Sequence, residues 1–196
     1  MKKILLTLGI LLSVTGSAFA YTLPRWGMTG IDVYLPESEY ENTVRRAFET
    51  WASATNGRVR LRFNSTRFFS NNAPIKVTFA NEQAKYFLAE SKRFETTGYF
   101  TNMEDGYINR ASLTVYTLDR QGKAITEDEL YKSLLFEIGY ILGLDKIYGP
   151  CDVESVMCYE KYGKLSSLTK YDKQKMVEKY TRTNSEVKKN NPNTAK

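Results

Sequence analysis

The chain has 196 residues, with 28 basic and 22 acidic side chains, a net charge of +6 and no histidine. That length supports one domain with a proper core. The basic residues are scattered and form no recognisable reader motif, which argues against nucleic-acid binding; the absence of histidine removes imidazole as a metal ligand.

Residues 1–20 are expected to be a cleaved signal peptide. Lys2 and Lys3 form a positive start, Ile4 to Val14 an apolar run, and Ala18-Phe19-Ala20 a small-residue cleavage site. The apolar run falls short of the roughly 20 residues that span a bilayer, so no membrane span is expected after cleavage. The mature chain is expected to begin near Tyr21 and to be secreted or periplasmic, with a net charge of about +4 once Lys2 and Lys3 are gone. A single domain is expected over 21–180. Residues 181–196, polar and free of aromatics, read as a disordered basic tail.

Within the domain, residues 26–35 read as a strand, with Trp26, Ile31, Val33 and Leu35 on one side, Asp32 and Tyr34 opposite, and Pro36 as its end. Ser38-Glu39-Tyr40-Glu41 has the form of a capping box. Val44, Ala47, Phe48 and Trp51 follow at helical spacing, and Gly57 closes that helix. Val59, Leu61 and Phe63 alternate with Arg58, Arg60 and Arg62 as a half-buried strand; Ile75, Val77 and Phe79 make another. Gly106 to Tyr116 is expected to be one strand with an offset at 109–111, while residues 81–98 give no clear signal. Thr126-Glu127-Asp128-Glu129 is a second capping box, opening a helix whose buried face holds Leu130, Leu134, Ile138 and Ile141, with Gly143 placed to end it. A last helix starts at Thr169, with Asp172 three residues on. Cys151 and Cys158, an even count in an exported chain, suggest a disulfide; the six residues between them exceed the usual spacing of a zinc-binding pair.

Five segments in this order resemble the matrixin-type metzincins. Ala47-Phe48-Glu49-Thr50-Trp51 is similar to the family's first helix, Ala73 to Ala80 to its next core strand, and Thr126 to Lys146 to its active-site helix. Ser155-Val156-Met157 resembles the Met-turn, and Leu168 to Tyr180 the closing helix. The resemblance implies an α+β fold: a mixed twisted sheet with a long first helix and an active-site helix, followed by a small, mostly helical C-terminal part. It also implies that Glu137 is the general base and Met157 the floor of the site. An extended peptide would then lie along an edge strand, expected at Leu113, Thr114, Val115 and Tyr116.

The family's zinc-binding helix reads His-Glu-x-x-His-x-x-Gly-x-x-His. Here Phe136, Tyr140 and Lys146 stand at the three histidine positions, while Glu137 and Gly143 match. A phenyl ring has no donor atom, a neutral phenol is a poor zinc ligand, and an ammonium has no lone pair and repels a dication. No zinc or other cofactor is therefore expected. Without the metal, a water beside Glu137 keeps the very high pKa of bulk water and the peptide carbonyl is not polarised. Lys146 could enter the old metal position and pair with Glu137, or both could be solvated. Phe136 and Tyr140, four apart on one face, could present an aromatic surface or simply fill the space.

The leading expectation is a catalytically inactive pseudo-protease that binds another protein or an extended peptide, in a binding or regulatory role. Its competitors are a metallopeptidase with a non-standard metal site and a metal-free hydrolase using Glu137 with Tyr140.

Overall fold

The computed structural model describes residues 25–27, 30–83, 98–100, 103–104, 107–119 and 122–181. The expected signal peptide, the expected start of the mature chain near Tyr21, nearly all of the weakly patterned stretch at 81–98 and all but the first residue of the expected C-terminal tail lie outside them.

Period-two patterning builds the sheet. Gly30–Tyr34 (β2) buries Ile31 and Val33 fully, and Arg60–Asn64 (β3) lies parallel to it with Asp32 opposite Arg62. That pair carries a bidentate ion pair at 2.7 and 3.0 Å. Ile75–Gln83 (β4) joins the other side of β2 in parallel, and Ala111–Leu118 (β8) runs parallel to β4, with Val77 opposite Leu113. Gly98–Phe100 (β5) closes the sheet antiparallel to β8, giving the order β3-β2-β4-β8-β5. The short strands Arg25–Trp26 (β1), Met103–Glu104 (β6) and Tyr107–Ile108 (β7) form a second sheet in the order β1-β7-β6.

Two single strands read from the sequence are thus each divided between the sheets. The expected strand at 26–35 is β1 plus β2, and the one at 106–116 is β7 plus β8, parting at the anticipated offset. Trp26 and Ile31 are both buried, but Trp26 is tied elsewhere: its indole N–H donates to the Ile141 carbonyl at 3.0 Å.

The helix Glu41–Ser53 (α1) buries Val44, Ala47, Phe48 and Trp51, the stripe expected of it. Its capping box does not form. Tyr40 is the N-cap, the Ser38 hydroxyl accepts only from the Tyr40 amide, and the Glu41 carboxylate is taken by Arg45 at 2.7 Å. Buried Tyr40 is held instead by tertiary structure, its hydroxyl donating to the Ile125 carbonyl at 3.0 Å. The helix ends before Gly57, where Asn56 and Gly57 adopt φ of 53° and 76° and turn the chain into β3.

Glu127–Ile141 (α2) begins at the Thr126 capping box, which forms in both directions. It packs on α1, where the Trp51 indole N–H donates to the Leu135 carbonyl at 2.7 Å, and it also meets β5. Lys170–Thr181 (α3) closes the domain and includes Thr181, the first residue assigned to the tail. Its buried Tyr180 hydroxyl donates to the Leu142 carbonyl at 2.9 Å, and burial pushes its pKa well above the usual phenol value. Sheet and helices share one core, in the α+β architecture expected.

Candidate functional site

The site is built on the second half of α2 and the turn that follows. Leu134, Leu135, Phe136, Glu137, Ile138, Gly139 and Ile141 are all buried, so this stretch is enclosed around almost its whole circumference. Gly139 explains how neighbours come so close. A Cβ there would overlap the Met157 sulfur outright and lie 2.7 Å from the Trp51 ring, so only glycine lets the Met-turn and α1 close on the helix.

Helix α2 stops in a Schellman motif. Gly143, at φ 95°, donates its N–H to the Tyr140 carbonyl, and Leu144 donates to the Gly139 carbonyl at 2.9 Å. The reversal returns the chain toward the face it has just left. Lys146 therefore extends back along the helix and places its Nζ 2.9 Å from Glu137 Oε2. Glu137 is 4% exposed and the Lys146 side chain 18%, so this is a largely desolvated ion pair. The same Nζ lies 4.5 Å from the Tyr140 ring centroid and 5.0 Å from that of Phe136, within cation–π range of both.

More aromatics stand around Phe136. Tyr162 meets its ring edge-on at 4.9 Å and Tyr159 at 6.3 Å, while Tyr148, largely exposed, leans on Tyr159 at 5.7 Å. The aromatic floor is thus larger than the Phe136–Tyr140 pair read from the sequence. Tyr148, Tyr159 and Tyr162 were legible only as a local concentration of tyrosine; nothing in their spacing aimed them at Phe136.

Met157, 3% exposed, packs beneath α2. Its turn is fixed by Asp172 of α3, a buried carboxylate that accepts from the Ser155 hydroxyl, the Val156 amide at 3.1 Å, and the Thr169 amide and hydroxyl at 2.8 Å. The sequence reading placed Asp172 at the helix start, but not its second task of holding the Met-turn. Cys151 and Cys158 form a disulfide, and Ile147 bridges to the same segment, donating to the Met157 carbonyl at 2.8 Å and accepting from the Tyr159 amide at 2.9 Å. The stretch carrying Lys146 and the one carrying Met157 are therefore laced together.

The expected peptide-binding edge at Leu113, Thr114, Val115 and Tyr116 needs correction at Leu113, which pairs on both sides; Thr114, Val115 and Tyr116 pair with β4 alone among the described residues. Strand β8 lies between β4 and β5: Leu113 pairs with Val77 on one side and Gly98 on the other. Leu113 and Val115 are fully buried. Alternation gave the strand but not its neighbours, and the outermost strand on this side is β5.

The side chains converging here do not suit a zinc ion. Phe136 brings carbon only, Lys146 brings a cation into the space beside Glu137, and Tyr140 turns its ring face toward that cation. Among the described residues, the one grouping of three acidic or cysteine side chains compact enough for a metal is Cys151, Cys158 and Glu160, whose two sulfurs are bonded to each other.

The family model described as matrixin, of the M10 peptidases, matches residues 22–181. No curated protein matches the chain.

Proposed function

Since this chain belongs to the matrixin family, we propose that its mature form is an exported, catalytically inactive member that binds an extended segment of another protein in a regulatory role. The observation that carries this reading is the Lys146 ammonium, 2.9 Å from the Glu137 carboxylate and flanked by the Phe136 and Tyr140 rings. Neutralised in this way, Glu137 is a poor base for activating water, and no Lewis-acidic partner is formed by the residues around it. Export is supported by the charged and apolar N-terminal pattern and by the Cys151–Cys158 disulfide.

Loss of chemistry leaves the sheet edge in place. Main-chain hydrogen bonds supply the affinity in strand addition and need no metal. With β8 enclosed at Leu113, the strand available to a peptide is β5, outermost in the sheet and packed beside α2. The experiment is hydrogen exchange on the mature protein, with and without extended peptides from its own compartment, run beside a peptide-cleavage assay. The reading expects slowed exchange at the Gly98–Phe100 amides and no turnover that Glu137→Gln abolishes. Turnover lost in Glu137→Gln would refute it.

A further inference from the structure

We propose that the turn at residues 67–71, together with Lys76 and Arg110, is a docking surface for an anionic lipid bilayer, with Phe68 entering the interface and the cations receiving headgroup phosphates. The surface shares no residue with the Glu137 site. The single turn of 3-10 helix Arg67–Asn71 stands between β3 and β4, and at its tip Phe68 is 84% exposed and Phe69 38%. An exposed phenylalanine gains nothing in water, whereas entering the apolar boundary of a bilayer would bury it.

The chemistry beside it is consistent with that medium. Ser70 and Asn71 of the same turn line a crevice of about 210 Å³ together with Lys76, Arg110, Ser112 and the small side chains of Ala73 and Ala111. Its two cations and three polar side chains suit a phosphate ester. Arg67, Lys76 and Arg110 are exposed, and none is held in an ion pair among the described residues.

The charge bias extends further along the chain. From Thr50 to Asn81 there is no Asp or Glu, against Arg58, Arg60, Arg62, Arg67 and Lys76. Arg62 is engaged by Asp32, but Arg60 also lies exposed on β3, the other outer strand of the sheet. Scattered over the whole sequence, the basic residues look like ordinary solubility; folding brings Lys76 and Arg110 together at one crevice beside the turn that carries Phe68. Each cation near an anionic leaflet strengthens binding by about fivefold, so three of them contribute roughly a hundredfold and the inserted ring about tenfold more, a weak and readily reversed attachment.

The test is co-sedimentation of the mature protein with large vesicles of phosphatidylglycerol and phosphatidylethanolamine in equal parts, against pure phosphatidylcholine. Binding is expected on the first and not the second, and to fall as salt rises. Phe68→Ser is expected to weaken it roughly tenfold. Lys76→Gln and Arg110→Gln are each expected to weaken it about fivefold, with thermal midpoints unchanged because all three side chains are exposed. Equal binding to both vesicle types would overturn the proposal. So would binding insensitive to these substitutions, or glycerol phosphate in solution occupying the crevice while Phe68→Ser leaves vesicle binding intact.

Discussion

A carboxylate as buried as Glu137 costs several kcal/mol in lost hydration unless its charge is met, and the same holds for the amine that meets it. Lys146 lowers that cost in two ways: its ammonium pairs with Glu137, and the faces of Tyr140 and Phe136 replace part of its hydration shell. Both alternatives for Lys146 were open in the sequence, because a nine-residue separation across a helix end does not say whether a flexible side chain turns inward. Geometry decides it in favour of the pair. Lys146→Met keeps the stem and deletes the charge, leaving Glu137 without this partner. We expect a loss of about 3 kcal/mol in chemical denaturation, near the lower bound for breaking a buried pair. Combining it with Glu137→Gln is expected to recover at least half of that loss, because the buried carboxylate charge is removed as well. A double variant no more stable than Lys146→Met alone would show that the pair is not what Glu137 depends on.

Among the elements, the helices show where local signals suffice. Thr126-x-x-Glu129 and Gly143 delimit α2 correctly because a cap is a contact between residues three or four apart, and nothing distant competes. Ser38-x-x-Glu41 has the same form and fails because Arg45 claims the carboxylate and Tyr40 is drawn to Ile125. The tightest constraint on α2 is Gly139, whose reason is invisible in sequence: Met157 and Trp51 arrive from far along the chain. Gly139→Ala places a methyl group where the Met157 sulfur now sits. It is expected to destabilise the domain by about 1–3 kcal/mol, the usual cost of overpacking, despite alanine's better helix propensity. Thermal unfolding of the single variant measures this. A rise in stability would mean that the Met-turn is not seated against the helix.

For the whole molecule, five motif-bearing segments fixed the family and the α+β class, and the match over residues 22–181 agrees. Sheet order was not legible. Strand β8 reads as a good strand from Leu113 and Val115, but alternation says only which side chains are buried, and pairing with β4 and β5 is decided by contacts remote in sequence. Docking of Tyr162 on Phe136, and the meeting of Lys76 with Arg110 beside the turn that carries Phe68, are long-range in the same way. What the sequence did carry is the chemistry at the three family positions. The most direct test of that point is zinc content, measured on the mature protein purified without chelators and then equilibrated with excess zinc. Beside it runs a variant carrying Phe136→His, Tyr140→His and Lys146→His. Far less than one zinc per chain is expected in the native protein and close to one in the variant. One tightly held zinc per native chain, required for peptide cleavage, would contradict that expectation.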